Sequence, residues 1–120
     1  METAGLMRFS NGSVGVARGS VMLFSAFEDG GEMWTGAGPR VIRYPVLFDE
    51  PFRGAPVIHV ALGMWDIASL SNQRADIAAD RVSGEGFEIV FRTWGDTRVA
   101  RVRAEWLAIG SVANEDDFDV

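Results

Sequence analysis

Residues 86–110 read GFEIVFRTWGDTRVARVRAEWLAIG, and their alternation decides the fold class. Successive side chains of an extended chain point to opposite faces. Phe87, Ile89 and Phe91 therefore share one face, and Glu88, Val90 and Arg92 share the other. After WGDT, where Gly95 or Asp96 can take φ > 0 in a tight turn, the alternation resumes. Ala100, Val102, Ala104 and Trp106 fall together, opposite Arg101, Arg103, Glu105 and Leu107. The pattern predicts a β-hairpin whose outer face carries Arg92, Arg101 and Arg103 interleaved with Val90 and Glu105. Arg is mostly exposed in folded proteins, so a solvated face is the plain interpretation. A face alternating Arg, Glu and Val also suits contact with a second copy, where guanidinium and carboxylate groups can pair bidentately. The expectation is a contact between protomers built on Arg92, Arg101, Arg103 and Glu105.

Working outward, Gly, Pro, Asn and Asp punctuate further short apolar runs, the pattern of a sandwich or barrel. Ser20 to Phe27 reads as a strand, followed by the turn-rich EDGGEMWTGAGPR. Val41 to Phe48 is another, which Pro45 confines to a sheet edge or a bulge. In APVIHVALGMWD, Ile58, Val60, Leu62 and Met64 fall on one face and His59, Ala61, Gly63 and Trp65 on the other. Both faces are apolar, which predicts a central strand or an interface. ADIAADRV, from Ala75 to Val82, suits either a helical turn or a strand. The expected fold is all-β: a small antiparallel sandwich of about six strands over residues 20–110. Residues 1–19 precede it as a segment available for oligomer or partner contacts. An acidic tail, 111–120, follows, with Phe118 as its one docking candidate.

Composition narrows the function. The chain has 120 residues, 48% of them hydrophobic, enough for one core and one domain. Its formal net charge of −6 argues against nucleic acid and anionic membranes as partners. No apolar run approaches the roughly 20 residues of a membrane span. The N-terminus METAGLMRFS lacks the basic start and apolar stretch of a secretion signal, so the compartment stays open, with cytoplasmic synthesis followed by surface or particle association as one route. There is no Cys, hence no disulfide framework, thiolate site or Cys nucleophile.

His59 is the only His and lies among Val and Ala, so it reads as a core or interface residue rather than a catalyst. Without a second His or a Cys, a zinc site of the usual kind is not expected. No nucleophile-elbow sequence is present. GAGPRV lacks the third Gly and the following helix of a phosphate loop. EDGGE, Glu28 to Glu32, fails the EF-hand spacing and reads as a turn. Paired acids can hydrolyse glycosides, but 120 residues leave little room for a deep cleft. NGS at Asn11 matches a glycosylation acceptor without a secretion signal beside it. Among the tryptophans, Trp106 reads as core and Trp94, preceding a turn, as functional. Trp34 and Trp65 stay open between core, interface and cleft wall.

The run from Gly86 to Gly110 resembles the C-terminal hairpin of H-type lectin domains, the family of snail agglutinins and slime-mould discoidins. FDEPFRGAPVIHVALGMWD is similar to the same family's upstream segment, with Pro51, Pro56 and Asp66 in register, and NQRADIAADRVSGEGF joins the two at a similar spacing. The resemblance covers Phe48 to Gly110, and VARGSV near Val16 is a weaker match. It implies a β-sandwich that assembles as a trimer, sometimes a hexamer. It also implies binding of galactose or N-acetylgalactosamine in clefts between neighbouring protomers, with no catalytic step, cofactor or metal.

Arg74 matches the family's sugar-contacting Arg, and Trp94 the Trp of the opposing hairpin, with Gly95 and Asp96 beside it. A guanidinium fork can donate paired hydrogen bonds to sugar oxygens, and an aromatic face can cover the apolar side of a sugar ring. Three departures stand out. The family's His after the Trp is Gly95, a Tyr further on is Ala100, and the loop WTGAGPR before Val41 is short and lacks an acid. The nearest acids, Glu28, Asp29 and Glu32, lie earlier. The expectation is a lectin-like adhesion module for cell-surface or capsular glycan, on a phage-like fibre or spike among other settings. The alternative is a structural or assembly protein that keeps the fold and has lost sugar binding.

Overall fold

The computed structural model describes residues 1–9, 12–26 and 30–113. Asn11, Glu28, Asp29 and Phe118, singled out above, lie outside them. Six strands and one helical turn follow in order: β1 (Ser13–Ser25), α1 (Glu32–Thr35), β2 (Arg40–Leu47), β3 (Val57–Ile67), β4 (Asp76–Asp80), β5 (Gly86–Thr93) and β6 (Val99–Val112). They form two three-stranded antiparallel sheets, ordered β1-β6-β3 and β2-β5-β4. The all-β sandwich expected from the alternation is what forms.

The predicted hairpin is not. β5 is the centre of one sheet and β6 the centre of the other, so the WGDT segment crosses between layers. Most of the inward and outward facing survives this change of partner, with two exceptions: Val90, read as outward, is buried, and Val99, on the Arg101 side by alternation, joins the core where the register shifts between Asp66 and Ile67. Phe87, Ile89 and Phe91 from β5 meet Val99, Val102 and Ala104 from β6 in one buried cluster. Phe91, Ile89, Val99 and Val102 are wholly enclosed, and each such side chain contributes about 1.5–3 kcal/mol by leaving water. Trp106 closes one end of this core, edge-on to Phe87 at 5.3 Å between ring centroids. Gly19 on β1 pairs with Trp106. A β-carbon there would stand 2.6 Å from the indole Nε1, so the missing side chain makes room for the ring. This is why β1 continues through VGVARG, ahead of the Ser20 start read from its apolar residues.

β3 is an edge strand, not a central one. Its register shifts between Leu62 and Met64, where Gly63 leaves space that Glu105 occupies; a β-carbon on Gly63 would sit 2.9 Å from the Glu105 carboxylate. A bulge inserts one residue and re-aims those after it. Met64 is thereby paired with Arg103 on the outer face, and Trp65 with Val102 on the inner side, the reverse of simple alternation. Pro45 lies on β2, an edge, as its missing N–H requires. ADIAADRV resolves as strand β4.

The separation of β5 from β6 splits the four residues of the expected contact. Arg92 lies on the outer face of the β2-β5-β4 sheet, 4.0 Å from Asp76. On that face Arg43 reaches Asp80 at 3.0 Å and Glu88 at 3.4 Å, and Arg81 reaches Glu88 at 2.8 Å. Such exposed pairs contribute about 0–1 kcal/mol each, and the face is a solvated charge network. Arg101, Arg103 and Glu105 lie on the opposite side of the molecule, outside the β1-β6-β3 sheet. Arg101 pairs with Asp66 at 3.3 Å, and Arg103 donates to the Gly63 carbonyl at 3.1 Å. Beyond them the same face turns apolar, with Val14, Val16, Val57 and Leu107 exposed. His59 is exposed there too, not in the core, and lines a cleft of about 580 Å³ with Arg18, Ser20, Glu105 and Leu107.

Candidate functional site

At one end of the sandwich the 68–75 loop, leading into β4, meets the 94–98 crossover between β5 and β6. Two buried threonines join them. Thr97 donates its hydroxyl to the Asn72 carbonyl at 2.5 Å and accepts the Arg74 N–H at 3.1 Å. Thr93 donates to the Arg74 carbonyl at 2.6 Å. Both backbone polar groups of Arg74 are therefore held by enclosed hydroxyls, and the Ala68 N–H adds a bond to the Arg98 carbonyl at 2.9 Å. Buried polar groups are costly unless paired, so these bonds fix where the Arg74 side chain leaves the loop.

That side chain reaches Asp96, with Nη1 donating to Oδ1 at 2.5 Å. Arg74 is one-third exposed and Asp96 more so. The hydrogen bond from Arg74 holds the Asp96 carboxyl below its ordinary range, against the opposing effect of desolvation; the Asn72 N–H, 3.4 Å from Oδ2, adds to the lowering. Gly95 adopts φ +69°, a conformation that costs other residues about 1–2 kcal/mol. A β-carbon at Gly95 would lie 3.0 Å from Arg74 Nη1. Gly95 thus serves the turn and also leaves the guanidinium its space. Trp94, beside it, keeps 44% of its surface exposed.

The crossover is braced from below by a residue that sequence reasoning passed over. Arg40 is buried and donates to three carbonyls: Nε to Gly38 at 2.9 Å, Nη1 to Met33 at 3.1 Å and Nη2 to Gly95 at 3.3 Å. The Gly38 N–H also reaches the Gly95 carbonyl at 2.9 Å. Thr93 and Thr97 were missed as well. Their available signal was two β-branched hydroxyl residues framing WGD, able to bond within the fold while contributing little to an apolar pattern. Met33 points into the core, and Trp34 lies beneath Arg98, whose guanidinium carbon is 4.6 Å from the ring centroid. Ala100 is buried.

The structure therefore brings Arg74, Gly95 and Asp96 into contact, with exposed Trp94 adjoining. It places Arg92 on one outer face and Arg101, Arg103 and Glu105 on the other. Chemically, the first group offers a neutralised but partly open guanidinium, a carboxylate acceptor and an aromatic surface. That set suits a polyhydroxylated neutral ligand. Among the described residues no group of three or more His, Cys, Asp and Glu side chains is placed to hold a metal ion.

Known proteins share this framework. The chain is 56% identical over 108 residues, 90% of its length and 94% of the relative's, to a protein named ATP synthase subunits region ORF 7 from Fuscovulum blasticum. It is 31% identical over 75 residues to a discoidin-1 polypeptide of Dictyostelium discoideum, covering 62% of this chain and 30% of that protein. The solved structure of wild-type discoidin II from the same organism superposes with a TM-score of 0.72 at 21% identity, over 82% of this chain and 37% of that one. A second discoidin II structure gives the same TM-score over 88% and 40%. At that identity the likeness is one of fold, and this chain spans only about a third of a discoidin. The H-type lectin domain matches residues 43–109, from the middle of β2 almost to the end of β6 and so across both sheets and the Arg74 loop; the chain belongs to the H-type lectin domain family.

Proposed function

We propose that this domain is a carbohydrate-binding adhesion module for cell-surface or capsular glycan of the galactose or N-acetylgalactosamine type. The observation that carries the proposal is the pinned Arg74 fork, held against Asp96 and Gly95 beside the exposed Trp94. Arg74 supplies charged hydrogen bonds, Asp96 accepts from hydroxyls, and Trp94 covers the apolar side of the ring. No catalytic step, metal or cofactor enters this function. Three protomers assemble through the outer face of the β1-β6-β3 sheet, where Arg101, Arg103 and Glu105 border exposed Val16, Val57 and Leu107. Arg92 has no part in that contact, being on the other face. Of the expected 1–19 segment, residues 13–19 belong to β1, and residues 1–9, with Leu6, Met7 and Phe9 exposed, add partner contacts. Several weak sites on one particle, such as a phage-like fibre or spike, would raise avidity by about 10²–10⁴ without new contacts.

Calorimetric titration with galactose- and N-acetylgalactosamine-terminated glycans tests this. Arg74→Ala should abolish binding, since hydrogen bonds to a charged group contribute about 1.5–3 kcal/mol each. Trp94→Phe should weaken it in part, and Trp94→Ala nearly as much as Arg74→Ala, with circular dichroism unchanged throughout. Undiminished binding by Arg74→Ala would refute the site. A second reading is favoured by two features: Arg74 Nη1 is already engaged by Asp96, and buried Ala100 cannot replace the family's Tyr. On that reading the fold is kept for assembly alone, and the unmodified protein binds no glycan on an array.

A further inference from the structure

Between the edge strands β3 and β4, on the open side of the sandwich, Leu62, Trp65, Ile67, Gln73 and Ala75 line a cleft of about 220 Å³. The bulge at Gly63 turns Trp65 to the inner side of its sheet, in register with Val102. Yet 56% of Trp65 stays exposed. The strand facing it across this opening, β4, has only five residues against the eleven of β3, and leaves the indole uncovered. Among the described residues no charged side chain lines the cleft. It presents an aromatic face with an indole N–H, beside an amide that has both donors and an acceptor. Among the described residues no hydrogen-bond partner engages Gln73 or the Trp65 indole.

We infer that this cleft is a second sugar subsite, taking an uncharged pyranose ring of the same glycan whose terminal residue is held at Arg74 and Trp94. The inference rests on the glycan-binding function proposed above. A ring with one apolar face and peripheral hydroxyls matches a stacked indole and a free amide, and an uncharged lining favours neither acidic nor basic residues. The two subsites are joined through the 68–75 loop. Gln73 and Ala75 both line the cleft, while Arg74 between them reaches Asp96. Alternate residues of an extended chain point to opposite sides, so the wall dividing the subsites is a single chain thick. Thr93 and Thr97 hold that wall in place by its Arg74 backbone. Two linked sugar rings can therefore straddle it, one on each side.

The test compares free N-acetylgalactosamine with a trisaccharide ending in it, followed through the indole N–H signals of isotopically labelled protein. The Trp94 signal should move with both ligands and the Trp65 signal with the trisaccharide alone. Trp65→Ala should lose about tenfold in trisaccharide affinity, the scale of one aromatic contact, with no change for the monosaccharide. Trp65→Phe should retain most of the affinity. The subsite is overturned if the Trp65 signal stays fixed while Trp94 responds, or if Trp65→Ala binds the trisaccharide as tightly as the parent. Should the Trp65 variants misfold, the signals of the unmodified protein still decide. If Trp65 responds while Trp94 and Arg74→Ala show no effect, the subsite stands and the Arg74 site falls. Silence at both indoles overturns both.

Discussion

Replacing Gly95 by Ala separates what the crossover does for the fold from what it does for the ligand. Gly95 has φ +69°, so alanine should cost about 1–2 kcal/mol in backbone strain. For a domain of this size, that lowers Tm by about 3–10 °C. The new β-carbon would also stand 3.0 Å from Arg74 Nη1, 3.3 Å from Cζ and 3.6 Å from Nε. The Arg74 backbone is tied to Thr93 and Thr97, so the guanidinium must move rather than the loop. A shift of a few tenths of an ångström in a fork whose charged bonds contribute about 1.5–3 kcal/mol each should lose about half of one bond, or about four- to tenfold in affinity. Gly38→Ala is the matched control. Gly38 has φ +74°, but a β-carbon there meets nothing within 4 Å. It should show a similar fall in Tm with glycan affinity intact. Thermal melts and titration with N-acetylgalactosamine measure both quantities. Equal affinity in Gly95→Ala and Gly38→Ala would refute the assignment of Arg74 to the ligand.

Further outcomes follow from other contacts. The Asp96 carboxyl is held low by Arg74; a depressed carboxylate adds stability that is complete above its unfolded pKa, about 3.9, and fades as pH falls through the lower folded value. The Tm difference between the parent and Asp96→Asn should therefore be constant from neutral pH to about pH 4 and shrink only below it. Arg103→Glu places like charge beside Glu105 and removes the bond to the Gly63 carbonyl. On the assembly proposed above, it should dissociate the protomers in sedimentation analysis, and a monomeric parent at micromolar concentration would refute that assembly. Phe91→Ala, at a wholly enclosed position, should lower stability in urea by about 3–5 kcal/mol without altering the sites.

The sequence by itself determined the facing of nearly every residue in β5 and β6. Alternation is a local consequence of strand geometry, so Phe87, Ile89, Phe91, Val102, Ala104 and Trp106 could be assigned inward before any partner was known. The family resemblance also singled out Arg74 and Trp94, with Gly95 and Asp96 as the neighbours of Trp94. Strand pairing was not legible. The link from Thr93 to Val99 is short enough for a hairpin, and nothing in WGDT distinguishes a turn within one sheet from a step between two. Tertiary structure decided it, because β5 pairs with β2 and β4 while β6 pairs with β1 and β3. That choice sent Arg92 to one side of the molecule and Arg103 to the other. The bulge at Gly63 was equally hidden, since the residue filling its space, Glu105, lies 42 positions away in the sequence. Alternation depends on neighbours within a strand, whereas layer and register depend on which distant surfaces bury each other.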